Sequence, residues 1–104
     1  MFTRNVTMKL KPNTAPEFKG LVENEILPLL RKQQGFRDEF TFVAPERSEA
    51  VAISFWETKD SCENYNRTGY PEVLKTLAKV VKGTPRVDTF ELSISTLHKL
   101  SAKA

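Results

Sequence analysis

The chain has 104 residues, a formal charge of +3, and 39% hydrophobic against 28% charged residues. That composition fits one ordinary globular domain over residues 1–104. Acids sit beside most bases, so there is no basic stripe for nucleic acid, and no apolar run approaches the roughly 20 residues of a membrane span. No signal peptide is visible. The single cysteine cannot form an internal disulfide, which points to a reducing cytoplasm. A domain of this size buries only about two-thirds of its unfolded surface, so a partner subunit would add considerable stability.

Residues 2–10 alternate as a strand, with Phe2, Arg4, Val6, Met8 and Leu10 on one face and Thr3, Asn5, Thr7 and Lys9 on the other. Lys11-Pro12-Asn13 is a turn. Thr14 and Glu17 have capping-box spacing, with Pro16 in the first helical turn. Phe18, Leu21, Val22, Ile26, Leu29 and Leu30 then form an apolar helical stripe that Gly35 ends, and Pro28 predicts a kink within it. In the second strand Phe36, Asp38, Phe40 and Phe42 alternate with Arg37, Glu39, Thr41 and Val43, before a polar hairpin loop over 44–49.

The third strand sets Val51, Ile53 and Phe55 against Ala52, Ser54 and Trp56. Asp60 and Glu63 predict a capping box for a helix. Pro71 fits the first turn of another, whose stripe is Val73, Leu74, Leu77, Val80 and Val81, with Gly83 and Pro85 as stops. Residues 85–100 read as one strand longer than usual, reaching beyond its own sheet. Asp88, Phe90, Leu92, Ile94, Thr96, His98 and Leu100 share one of its faces. The order β-α-β-β-α-β predicts an α+β, ferredoxin-like fold. The two helices are expected to cover one face of a four-stranded antiparallel sheet. The bulkier strand faces, carrying Phe2, Met8, Phe40, Phe55, Phe90 and Leu92, are expected to meet the helices. The other face, with Glu39, Thr41, Ala52, Ser54 and Trp56 among polar and small residues, is expected to be solvated or packed on a second copy.

Over nearly its whole length this pattern resembles the antibiotic biosynthesis monooxygenase domain. The local matches are Phe55-Trp56-Glu57-Thr58 followed by Asp60-Ser61, Tyr70-Pro71-Glu72-Val73 opening the last helix, and Gly35-Phe36 leading into the second strand. The resemblance implies a homodimeric α+β barrel with stacked sheets and the last strand reaching across. It also implies an apolar cavity between sheet and helices in each subunit. Members with known activity include cofactor-free oxygenases of anthrones and quinols, and heme-degrading enzymes. Tyr65 stands where many relatives carry histidine or tryptophan. Heme degradation is rejected, because residues 72–82 contain no histidine and Asn5 lies on the wrong side of the first strand.

Tyr65 and Arg4 are the candidate catalytic residues. The Tyr65 phenol either hydrogen-bonds a substrate oxygen or packs its ring in the core with its hydroxyl wet. Arg4 either stabilises a substrate phenolate or carboxylate, or reaches solvent or an acid at the strand's start. Phe40, Phe55, Tyr70, Leu77, Phe90 and His98 are candidate substrate contacts. His98 is the only histidine, a base suited to neutral pH or an ordinary surface or interface residue. Trp56 is expected to anchor the dimer and Cys62 to be structural. No metal-ligand cluster, phosphate loop or nucleophile triad is present in the sequence. The resemblance implies a cofactor-independent monooxygenase of a small hydroquinone, phenol or anthrone, with no cofactor or metal. The alternative is a dimeric module that binds a small apolar ligand or a protein without turnover.

Overall fold

The computed structural model describes residues 1–97. Strand β1 (Phe2–Leu10) leads to α1 (Ala15–Leu21), a π-helical turn (Val22–Ile26) and α2 (Leu27–Arg31). Strands β2 (Phe36–Ala44) and β3 (Glu49–Trp56) form a hairpin around a short 3-10 turn (Pro45–Arg47). Helices α3 (Lys59–Thr68) and α4 (Tyr70–Leu77) precede β4 (Val81–Glu91). The antiparallel sheet has the order β2-β3-β1-β4. This is the predicted ferredoxin-like arrangement, with all helices on one face. Among the described residues no helix is long and apolar enough to cross a membrane.

The apolar spacing of the first helical segment buries Phe18, Val22, Ile26 and Leu30 against the sheet. Pro28 has no N–H to give to the preceding turn. The helix meets this with a π turn just before it, closed by Leu27 N–H on the Val22 carbonyl, at the place where a kink was predicted. Both predicted caps shift. Thr14 makes no side-chain cap, because its hydroxyl donates to the Lys11 carbonyl at 2.7 Å instead. The capping box of α3 is Thr58–Ser61 rather than Asp60–Glu63: Thr58 Oγ1 accepts from Ser61 N–H at 3.0 Å, and Ser61 Oγ accepts from Thr58 N–H at 3.3 Å.

The helix-facing side of β1 is the predicted one. In β2 and β3 the faces are reversed. Trp56, wholly buried, stacks on Tyr65 of α3 at 4.9 Å, so Ala50, Ala52 and Ser54 face the helices with it. Trp56 is therefore a core residue, not the dimer anchor predicted for it. Val51, Ile53 and Phe55 take the open face. A bulge in β2 at Arg37 pairs Phe36 with Trp56 but Asp38 with Phe55. That extra residue flips the rest of β2, as a one-residue slip must. Glu39 and Thr41 turn toward the helices. Phe40 and Phe42 turn away, and Phe40 meets the Phe55 ring at 5.3 Å. Phe90 pairs beside Thr3 and also lies on the open face.

The last strand starts earlier and stops sooner than predicted. Helix α4 ends at Leu77, and Val80 and Val81 are buried at the start of β4 instead of extending the helix. Gly83, at φ +73°, lies where β4 bulges against Thr7–Lys9. The strand ends at Glu91, opposite Phe2, because its one partner β1 begins there. Residues 92–97 carry no regular structure. The predicted strand positions 98–100 lie outside the described residues.

Gly35 leads into β2 at φ +82°. A Cβ there would stand 2.5 Å from both Cβ and Oγ of Ser61, the residue that caps α3. Gly35→Ala therefore strains the backbone and disturbs the cap together. It should cost more than about 1 kcal/mol, read as a fall of several degrees in Tm by calorimetry.

Candidate functional site

Arg4 projects from the central strand β1 into the layer between sheet and helices and is only 2% exposed. A buried guanidinium keeps its charge, so it must be compensated where it lies. Its Nη2 donates to Asn66 Oδ1 at 2.7 Å. Its carbon lies 3.9 Å from the Tyr70 ring centre and 5.3 Å from that of Tyr65. Among the described residues it forms no ion pair; the six present are all elsewhere. Cation–π contact offsets part of the desolvation cost, about 1–2 kcal/mol for a dry pair. No carboxylate lies within ion-pair distance of this charge among the described residues, although Glu39 lines the same cavity.

An aromatic wall holds this arrangement. Phe36 meets Trp56 edge-on at 5.6 Å, Trp56 stacks on Tyr65, and Tyr65 meets Tyr70 at 6.2 Å. Trp56 Nε1 donates to Ser54 Oγ at 2.9 Å, which satisfies its buried N–H. Gly69 joins α3 to α4 without a side chain. A Cβ there would lie 2.7 Å from the Tyr65 ring. Burial pushes the Tyr65 phenol well above its usual range, against the pull of Arg4. Tyr70 is raised by burial too, again opposed by Arg4. Its hydroxyl is buried beside the Arg4 guanidinium, which pulls that pKa back down by its charge and by hydrogen bonding. Both tyrosines are therefore neutral donors at physiological pH.

Arg4, Tyr65, Tyr70 and Leu77 line one cavity of about 40 Å³, together with Glu39, Thr41 and Ser54 among apolar side chains. It is the cavity expected between sheet and helices, but it holds little more than a water molecule. Val22, Glu39 and Thr41 also line a groove of about 570 Å³ between α1 and the β2 edge. The groove and the cavity therefore adjoin across these three residues. Phe40, Phe55 and Phe90, expected as substrate contacts, lie on the opposite face of the sheet for the reason given above. His98 lies outside the described residues. Among the described residues no group of three His, Cys, Asp or Glu side chains could hold a metal.

The reading of the sequence missed Glu39. Its carboxylate accepts from Thr41 Oγ1 at 2.6 Å, and burial raises its pKa, opposed by that hydrogen bond. The one signal was a Glu-x-Thr pair facing the same way, and the β2 bulge hid which way. Cys62 is a buried free thiol in α3, as expected of a structural cysteine.

No family model and no curated protein matches the sequence. Solved structures do. One is a monooxygenase from the gene ActVA-Orf6 of Streptomyces coelicolor, solved with nanaomycin D. It is 17% identical with a TM-score of 0.76, over 92% of this chain and 90% of that one. SnoaB, a cofactor-independent oxygenase from Streptomyces nogalater, is 16% identical with a TM-score of 0.72, over 91% and 95%. A protein of unknown function from Nitrosomonas europaea is 16% identical with a TM-score of 0.75, over 92% of each. The chain has the antibiotic biosynthesis monooxygenase fold. At these identities the likeness carries architecture and no particular activity. Within that fold, Arg4 and Glu39 are charged side chains lining the cavity of this chain.

Glu39 yields a stability prediction. Its folded pKa is raised, so the unfolded state holds fewer protons as pH climbs through the carboxyl range, and folding loses stability there. Glu39→Gln keeps an acceptor for Thr41 without the charge. The variant should be more stable than the parent at neutral pH. Urea unfolding across pH should show that gain vanish below the ordinary carboxyl pKa of 4.5.

Proposed function

We propose that the protein is a cofactor-independent monooxygenase of a small hydroxyaromatic, of the hydroquinone, phenol or anthrone type. The observation that carries this reading is the buried Arg4 guanidinium, in ion-pair contact with no carboxylate, beside the buried phenols of Tyr65 and Tyr70 in one cavity. A site built that way favours an oxyanion over its conjugate acid, since Coulomb attraction is strong in a dry cavity. Tyr65 and Tyr70, held neutral, donate hydrogen bonds to the same oxygen. Leu77, Val22 and Ile26 orient the ring and exclude water.

The chemistry then runs on the substrate's own electrons. The deprotonated substrate passes one electron to O2, and the resulting radical and superoxide combine into a carbon–oxygen bond. The peroxide takes up a proton. The carbon loses its remaining hydrogen as a proton while the O–O bond breaks. One oxygen stays as a carbonyl and the other leaves as water. The cavity must widen to admit a ring, and the groove between α1 and the β2 edge is where it does so. The small enclosed volume favours, as second reading, a module that binds a small apolar ligand without turnover.

The working form is a homodimer stacked through the open sheet faces. Phe42 and Phe90 are each 56% exposed there, beside Phe40, Ile53 and Phe55. Asn5 Oδ1 on the same face is buried without a partner in a single copy. Ile94, 86% exposed just past β4, would then be covered by the second copy. The free thiol of Cys62 suits a reducing cytoplasm.

Oxygen uptake on a panel of hydroquinones and anthrones, without cofactor, should exceed the autoxidation blank. Arg4→Lys should lower kcat/KM by about 10²-fold, because a point charge replaces a planar fork stacked on two rings. No uptake anywhere on the panel would favour the binding module. Sizing chromatography over a range of concentrations should give a dimer, and Phe90→Glu should give a monomer. A monomeric parent at every concentration would sink the stacked-sheet assembly.

A further inference from the structure

We propose that Glu39 is the proton acceptor of the cavity: it takes the hydroxyl proton of a weakly acidic hydroxyaromatic ligand as the ligand's oxyanion settles beside Arg4. The inference rests on the reading that the cavity receives a hydroxyaromatic, and it assigns that ligand's proton. Glu39 stands where the groove meets the cavity, so a ligand entering from the groove passes its carboxylate before reaching Arg4. The Thr41 hydroxyl occupies Oε2 at 2.6 Å and fixes the carboxylate plane, which leaves Oε1 to receive the proton.

Charge conservation makes the case physical. With Glu39 ionised, the unliganded cavity holds one cation, Arg4, and one anion. On binding, the ligand's O–H bond breaks and an O–H bond forms on Glu39. The cavity then holds Arg4, the ligand oxyanion and a neutral carboxylic acid, with its net charge unchanged. No charge has to be carried into or out of a dehydrated space, which is the costly step for a buried site. Burial also makes Glu39 a stronger base than a surface glutamate, closer in proton affinity to a phenol. The charged and titratable groups around it are Arg4 from β1, Tyr65 from α3 and Tyr70 from α4. Across the groove Lys19 and Glu23 pair with each other at 3.9 Å and largely cancel.

The test is binding of 4-nitrophenol without oxygen, followed by absorbance and by calorimetry in buffers of different ionisation enthalpy. The pH is set above the Glu39 pKa and below that of the free probe. The visible band reports whether bound probe is phenolate, and the buffer dependence counts protons released. The parent protein should bind phenolate with no net proton release, because the proton remains on Glu39. Glu39→Gln should release about one proton per phenolate bound, so its affinity should drop about tenfold for each unit that the pH is lowered. Gln retains the acceptor for Thr41, and 4-nitroanisole, which has no proton, should bind both proteins alike. The inference is overturned if the parent releases the proton to solvent, binds the probe as phenol or does not bind it. It is also overturned if nitroanisole distinguishes the two proteins as strongly as nitrophenol does. Phenolate capture without proton release, in a protein that takes up no oxygen on the panel, would sustain Glu39 as acceptor and sink the oxygenase.

Discussion

A guanidinium held away from water, and out of ion-pair contact with any carboxylate among the described residues, is the constraint around which this protein is built. Arg4 arises from β1, an interior strand of the sheet. Asn66 takes one of its N–H groups, and the Tyr65 and Tyr70 rings cover its face. Each compensation is partial. A neutral amide oxygen and two ring quadrupoles lower the cost of a buried cation without cancelling its charge. Trp56, Ser54, Phe36 and Gly69 make sense as support: they fix the tyrosines, and the tyrosines fix the arginine. An anion arriving in the cavity completes a pair that the fold leaves half made.

The sheet has two apolar faces, and they divide the volume unequally. Facing the helices, β3 supplies Ala50, Ala52 and Ser54, since α1, α3 and α4 bring Phe18, Tyr65 and Tyr70 into the same layer. Small strand residues leave room for large helical ones. The large strand residues, Phe40, Phe42, Ile53, Phe55 and Phe90, go to the other side. That asymmetry ties the site to the surface: the spacing that lets tyrosines reach Arg4 also turns a hydrophobic sheet face outward.

The β2 edge links packing to access. One bulge at Arg37 places Phe36 against Trp56 and turns Glu39 inward, so the same irregularity completes the aromatic wall and puts a carboxylate at the mouth of the cavity. As an edge strand, β2 is held by β3 alone. Across the groove stands the π turn, a segment whose hydrogen bonding is already wider than that of an α-helix.

The element order, the helix-facing side of β1 and the inward position of Tyr65, Tyr70 and Leu77 were legible in the sequence. They follow from periods of two and of about 3.6 residues, from glycine and proline at the breaks, and from a first strand whose two faces differ in polarity. Arg4 among apolar neighbours stood out for the same reason. The sequence alone could not tell which face of β2 and β3 meets the helices. Both faces are apolar enough to be buried, and the alternation there records size, which depends on what the opposing helix supplies. Only tertiary contact showed that Ala52 and Ser54 line the cavity with the tyrosines while Phe55 packs against Phe40 on the other face. The bulge at Arg37 leaves the alternation of residue types intact while reversing its meaning, and so Glu39 became visible only once the strand was paired. The end of β4 was likewise decided by its partner: a strand extends only as far as there is backbone beside it to bond.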